Sequence, residues 1–240
     1  MKTILITGAS SGIGAATARL FLEAGWTVGL MARRTDALES VAAGHANAHI
    51  LPGDVSRPAD AEAVTRQFTE AAGRLDVLFN NAGIFVPAAD IDRTEVADWD
   101  RAVAVNLTGM FLMARAAFAV MRTQGGGRIV NNGSISAHVP RPGAVTYTVT
   151  KHAITGLTRQ LALDGRPLGI DCGQIDIGNA QTPLLEELDA RQRAEGAAPV
   201  PMMAVEDAAR SVLHMATLPL GTNVLTMTVM ASAMPYVGRG

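Results

Sequence analysis

Tyr147 and Lys151 stand four positions apart in "TYTVTK", in a chain with only two tyrosines. On a helix, positions i and i+4 share a face, so a phenol and an ammonium so spaced can meet. A neighbouring cation favours the phenolate, and a free phenol with a pKa near ~10 needs such help to act as a base at neutral pH. Proton transfer to or from a carbonyl or alcohol oxygen is the chemistry such a pair serves. Ser134, thirteen residues before Tyr147, adds a hydroxyl able to donate to a developing oxyanion.

A second feature lies at the other end of the chain. "TGASSGIG" (7–14) follows an apolar run and opens a helical pattern. Gly8, Gly12 and Gly14 allow a tight turn and close approach of a ligand, while Ser10, Ser11 and Ile13 complete the loop. The helix N-terminus behind them presents N–H groups to a pyrophosphate. At the end of the second apolar run, where a carboxylate would bind a ribose hydroxyl, the chain reads "LMARRTD". Ala32 stands in that place and Arg33 and Arg34 follow, a pattern that suits a 2′-phosphate through charge-assisted hydrogen bonds. NADP(H) is therefore expected in preference to NAD(H).

The elements that must position these groups alternate along the chain. Strands are expected at 3–7, 27–31, 48–51, 76–80, 128–132, 169–175 and 223–229, with helices over 12–24, 35–43, 58–72, 95–122, 147–164 and 205–216. Right-handed βαβ crossovers then give one doubly wound α/β domain over 1–240, a parallel sheet of about seven strands with helices on both faces. Residues 184–203 are the least regular stretch and are read as a substrate lid.

Composition narrows the classes. A net charge of −2 gives no support to nucleic-acid or anionic-membrane binding. The single cysteine, Cys172, excludes an internal disulfide framework, suits a reducing compartment and reads as a small core residue. The apolar run at the N-terminus is too short for a signal peptide, and Pro219, Gly221, Asn223 and Pro235 interrupt the uncharged stretch at 217–238, so a cytoplasmic protein is expected. No Cys/His cluster has metal-ligand spacing, so no metal is expected.

Taken together, "TGASSGIG", "DV" (54–55), "NNAG" (80–83), Asn106 in "VNLTG", Ser134 and "YTVTK" (147–151) resemble the classical short-chain dehydrogenase/reductase family, in that family's order, from about residue 2 to 183. The resemblance implies a Rossmann-type fold and a nicotinamide cofactor. By position it implies that Asp54 and Val55 meet the adenine and that Asn81, Ala82 and Gly83 line the adenine–ribose side. It makes Tyr147 the general acid/base and has Lys151 bind the nicotinamide ribose. Ser134 would hold the substrate oxygen, and Asn106 would help keep a relay water.

Two stretches depart from the family's pattern. After the sixth strand "QIDIGNAQTP" has Asp176 and Ile177 in place of an Asn-Pro pair, which puts the rigidity of that loop in question. Backbone contact with the nicotinamide carboxamide is still expected near Gly178, Asn179, Ala180 and Thr182. The C-terminus lacks the family's Val-Asp-Gly-Gly ending, so a homodimer through the helices at 95–122 and 147–164 is favoured over a homotetramer.

The substrate pocket is expected from Phe85, Val86, His138, Val139, Leu184, Leu185, Leu188, Met202 and Met203, together with Ser134 and Tyr147. Most are apolar, which points to an apolar ketone or secondary alcohol, and His138 is read as an exposed loop residue rather than a second acid. The leading expectation is an NADP(H)-dependent carbonyl reductase or alcohol dehydrogenase. The alternatives are a cofactor-binding regulatory protein, or an epimerase or dehydratase of the same fold.

Overall fold

A parallel strand buried on both faces must be apolar at successive positions, and the first strand is so across its centre. In strand β1 (Thr3–Thr7) Ile4 and Ile6 point to one face of the sheet and Leu5 to the other, all fully buried. The computed structural model describes residues 1–194, 196 and 198–237. Glu195 and Ala197 of the expected lid, and the last three residues of the expected domain, lie outside the described residues.

The seven strands are β1, β2 (Thr27–Ala32), β3 (Ala48–Pro52), β4 (Val77–Asn80), β5 (Gly127–Asn132), β6 (Ile170–Ile177) and β7 (Thr226–Val229). They form one parallel sheet in the order β3-β2-β1-β4-β5-β6-β7. The chain runs outward from β1 to β3, then returns to build the other half beside β1. This reversal opens a crevice at the carboxyl ends of β1 and β4, where doubly wound sheets bind ligands.

Helices α1 (Gly12–Glu23), α2 (Thr35–Ala42) and α8 (Val205–Thr217) cover one face through Ala18, Phe21, Leu38, Val41 and Val212. Helices α3 (Pro58–Ala72) and α5 (Met110–Gln124) cover the other through Val64, Phe68, Met113, Ala117 and Met121. Truncating one such side chain, Phe68 for example, costs about 3–5 kcal/mol. Helix α3 starts on Pro58 with Asp60 in its first turn and stops at Gly73, whose φ of +78° ends the α conformation.

Two expectations are corrected. The single helix expected over 95–122 is α4 (Val96–Val103), a π turn (Ala104–Gly109) and then α5. The irregular stretch after 183 contains a helix, α7 (Pro183–Ala194). Its proline start, Glu186 in the first turn and Arg191 and Arg193 in the last suit a helix by its ends rather than by an apolar stripe. The helix carrying Tyr147 is α6 (Val145–Gly165).

Candidate active site and cofactor cleft

The crevice is assembled around Thr7, the last residue of β1. Its hydroxyl accepts hydrogen bonds from the backbone N–H of Asn81 (2.8 Å) and Ala82 (2.9 Å), and its carbonyl accepts from the Asn81 side chain (2.9 Å). Asn81 Oδ1 in turn accepts from Asn132 Nδ2 at 2.8 Å, so the loops after β1, β4 and β5 are tied together. The glycines are required by space as well as by conformation. A Cβ on Gly14 would lie 2.2 Å from the Gly8 carbonyl oxygen, and Gly8 itself has φ +67°.

Ser11 caps α1 without a side-chain hydrogen bond, which leaves the first N–H groups of that helix to a ligand. Thr182 lies across this loop, 3.2 Å from where a Gly12 Cβ would be. A glycine cradle, an uncapped helix N-terminus and a threonine lid fit the diphosphate of a dinucleotide. The structure brings together Gly8, Ser10, Ser11, Gly12, Ile13, Gly14 and Thr182 at the start of α1.

At the adenosine end, Arg33 and Arg34 are exposed beyond β2. Asp54 accepts from the Ser56 backbone N–H (2.9 Å) and hydroxyl (2.7 Å). Partial burial pushes the Asp54 carboxyl up, but the two Ser56 hydrogen bonds, with Arg33 and Arg57, more than offset it and hold the carboxyl below its usual range. Asp54 thus has a fixed side chain close to Arg33. Val55 is buried beneath Gly109, where a Cβ would meet its side chain at 2.8 Å.

Helix α6 carries Tyr147 and Lys151 on one face, with Lys151 Nζ 5.5 Å from the centre of the Tyr147 ring. Lys151 is buried and its ammonium donates to the Asn132 carbonyl at 2.7 Å. Burial pulls the Lys151 ammonium down to about 8, against a partial pull upward by Asp176. Burial pushes the half-buried Tyr147 phenol up. The Ser134 hydroxyl and Arg141 favour the phenolate, while Asp176 opposes it. The expected depression of the phenol by Lys151 is therefore not what the protein's own groups produce; their net effect is upward.

Ser134 follows β5 and caps a short 3-10 turn (Ile135–Ala137), its Oγ accepting from the Ser136 N–H at 3.1 Å. Asn106 lies in the π turn, fully buried, with both ends of its amide on Ile84. Oδ1 accepts from the Ile84 N–H (2.7 Å) and Nδ2 donates to the Ile84 carbonyl (2.9 Å). Its side chain clamps the segment after Gly83 and fixes the π turn against it. Phe85, on that segment, stacks on Tyr147 with ring centres 4.4 Å apart.

The loop after β6 is held without the proline. The Gly178 N–H donates to the Val229 carbonyl (2.8 Å), and the Asn179 N–H points to Met234 Sδ (3.2 Å). Those two N–H groups are engaged within the protein, and Ala180, buried, bridges to Met203. Leu184 and Leu188 project exposed from α7, and Met202 lines a cavity of about 750 Å³ with Met230 and Arg210 beneath α8 and β7. The lining of that cavity does not include Tyr147 or Ser134.

His138 is an exposed loop residue, as expected, and it also has a buried partner. Its Nε2 lies 2.7 Å from Oδ2 of the fully buried Asp176. Sequence reasoning missed this pair, and it also missed Arg141, whose guanidinium lies 5.9 Å from the centre of the Tyr147 ring. The replacement of an amide by a carboxylate at Asp176 was the one available signal. Among the described residues no group of His, Cys, Asp and Glu could hold a metal ion.

Comparison with known proteins agrees with this geometry. A family model described as short chain dehydrogenase matches residues 2–193. An uncharacterized oxidoreductase of Thermotoga maritima is 39% identical over 197 residues, covering 80% of this chain and 76% of that protein. The 2-(R)-hydroxypropyl-CoM dehydrogenase of Xanthobacter autotrophicus is 36% identical over 192 residues, with 77% of each chain covered. Among solved structures, the 3-ketoacyl-(acyl-carrier-protein) reductase of Brucella melitensis complexed with NADH superposes with a TM-score of 0.86 at 28% identity, covering 96% of this chain and 97% of that one. The closed form of serine dehydrogenase complexed with NADP+ gives 0.90 at 25% identity, covering 99% and 98%. With its doubly wound sheet, its glycine cradle and its Ser134–Tyr147–Lys151 cluster, the chain belongs to the classical short-chain dehydrogenase/reductase family of oxidoreductases.

Proposed function

We propose that the protein is an NADP(H)-dependent oxidoreductase that interconverts an apolar ketone and its secondary alcohol. The observation that carries the reading is the convergence of Ser134, Tyr147 and Lys151 beside the glycine cradle. When bound, the nicotinamide supplies or accepts the hydride. Ser134 donates a hydrogen bond to the substrate oxygen and fixes it against the Tyr147 phenol. In reduction Tyr147 gives its proton to that oxygen, and in oxidation it takes one from the alcohol. The raised phenol holds its proton at neutral pH, which suits the reducing direction. Lys151, buried beside Asn132, would hold the nicotinamide ribose.

Arg33 and Arg34, exposed next to Ala32, support the 2′-phosphate of NADP(H). The exposed apolar side chains of Phe111, Val149 and Leu163 on α5 and α6 support a homodimer through those helices. A cytoplasmic location accords with the single buried, unpaired Cys172. Turnover of a panel of ketones with NADPH and NADH tests the reading. One charge-assisted contact contributes ~1.5–3 kcal/mol, so kcat/KM should favour NADPH at least about tenfold. The double change Ala32→Asp with Arg33→Ala should reverse that order. Equal use of both cofactors at low salt would show that the arginines serve only the solvent.

A further inference from the structure

Behind Ser134 lies a carboxylate that the cofactor and substrate contacts leave unused. Asp176, near the carboxyl end of β6, is fully buried and accepts three hydrogen bonds. Oδ1 takes the Ser134 backbone N–H (2.9 Å) and Gln174 Nε2 (2.7 Å), and Oδ2 takes His138 Nε2 (2.7 Å). The pocket is cut to it: a Cβ on Gly133 would stand 2.1 Å from Oδ1. Gln174 Nε2 continues to the Thr155 hydroxyl (3.1 Å), one turn beyond Lys151 on α6. One buried anion therefore joins the turn that carries Ser134, the imidazole of His138 and the helix that carries Tyr147 and Lys151.

We propose that Asp176, paired with His138, is the anionic positioning residue of this site: it fixes the Ser134 turn against Tyr147 and sets a buried negative charge facing Lys151. This deepens the oxidoreductase reading and rests on it. A carboxylate only accepts, so Nε2 of His138 carries the proton and the imidazole is fixed in one orientation, with 38% of its side chain still accessible. The charged and titratable groups facing this unit are His138 from the turn, Arg141 beyond it, and Tyr147 and Lys151 from α6. Asp176 pulls both the Lys151 ammonium and the Tyr147 phenol upward. Loss of its charge therefore moves both titrations down.

The test is Asp176→Asn, which keeps size and the acceptor for Ser134 but removes the charge. In the protein alone, NMR of labelled lysine side chains should place the Lys151 midpoint below its wild-type value of about 8. Labelled-histidine NMR should show His138 changing its nitrogen protonation pattern. In turnover with NADPH, kcat/KM should fall roughly tenfold as a charge-assisted hydrogen bond becomes a neutral one, and the alkaline limb of reduction should move to lower pH. The second variant, His138→Ala, removes a partly exposed side chain, leaves Asp176 without that partner and should raise the Lys151 midpoint. A Lys151 midpoint unchanged in both variants, or in whichever of the two folds, overturns the proposal. The titrations need neither cofactor nor substrate, so they decide even if no ketone is turned over, and a failure of the oxidoreductase reading stays distinguishable.

Discussion

A proton donor is defined by what happens when only its proton is removed. Tyr147→Phe keeps the ring stacked on Phe85 and deletes the hydroxyl. Turnover should fall at least ~10²-fold while NADPH affinity stays near wild type. Activity above about a tenth of wild type in a steady-state assay would reject the role. Lys151 makes a different prediction, because its function and its stability oppose each other. Its ammonium titrates at about 8, against an ordinary 10.5, so burying the cation costs on the order of 3 kcal/mol below pH 8. Between those two values the unfolded chain holds more protons, so this group's contribution to stability rises with pH. Lys151→Met should abolish turnover yet raise stability at pH 7 by about 1–2 kcal/mol in urea denaturation, after the loss of the Asn132 carbonyl's partner. A destabilised variant would place Lys151 among the structural residues.

At the scale of elements, what was legible in the sequence depended on which signal each element carries. β1, buried on both faces, announces itself as five apolar or β-branched residues, and the glycine loop follows it without ambiguity. The π turn does not. "AVNLTG" continues the helical pattern of its neighbours, and only the close packing of Gly109 on Val55 and the Asn106 clamp on Ile84 require the extra residue in that turn. Helix α7 was hidden for the opposite reason, since its ends are well written but its apolar face is narrow. The Asp176–His138 pair links positions 38 residues apart, and no local pattern joins them.

The amino ends of the strands, opposite the cleft, show what holds the whole molecule. Arg128, near the start of β5, is 2% exposed and bonds Asp171 (2.8 Å) and the carbonyls of Thr222 (2.8 Å), Pro219 (3.1 Å) and Met215. It staples β5 and β6 to the end of α8 and the turn before β7. Removing one member of a buried ion pair leaves the other unpaired, so Arg128→Met should cost about 3–5 kcal/mol by chemical denaturation. The KM for NADPH in the remaining folded fraction should be unchanged, because no part of the staple borders the cleft. A loss below about 1 kcal/mol would mean that the loop carbonyls find water instead.

The packing of Met230 and Met234 over Gly178 bears on how the enzyme ages. A Cβ on Gly178 would lie 2.6 Å from Met230 Cβ and 2.9 Å from Met234 Sδ, and the Asn179 N–H already points at that sulfur. Both methionines are partly open to solvent. Peroxide would convert an apolar thioether into a bulkier polar sulfoxide with no room to sit, lifting the strand-end loop that carries Ala180 and Thr182. Mild oxidation should therefore raise the KM for cofactor before the fold is lost, and methionine sulfoxide reductase should reverse the change. Replacing both with leucine should make the enzyme peroxide-tolerant.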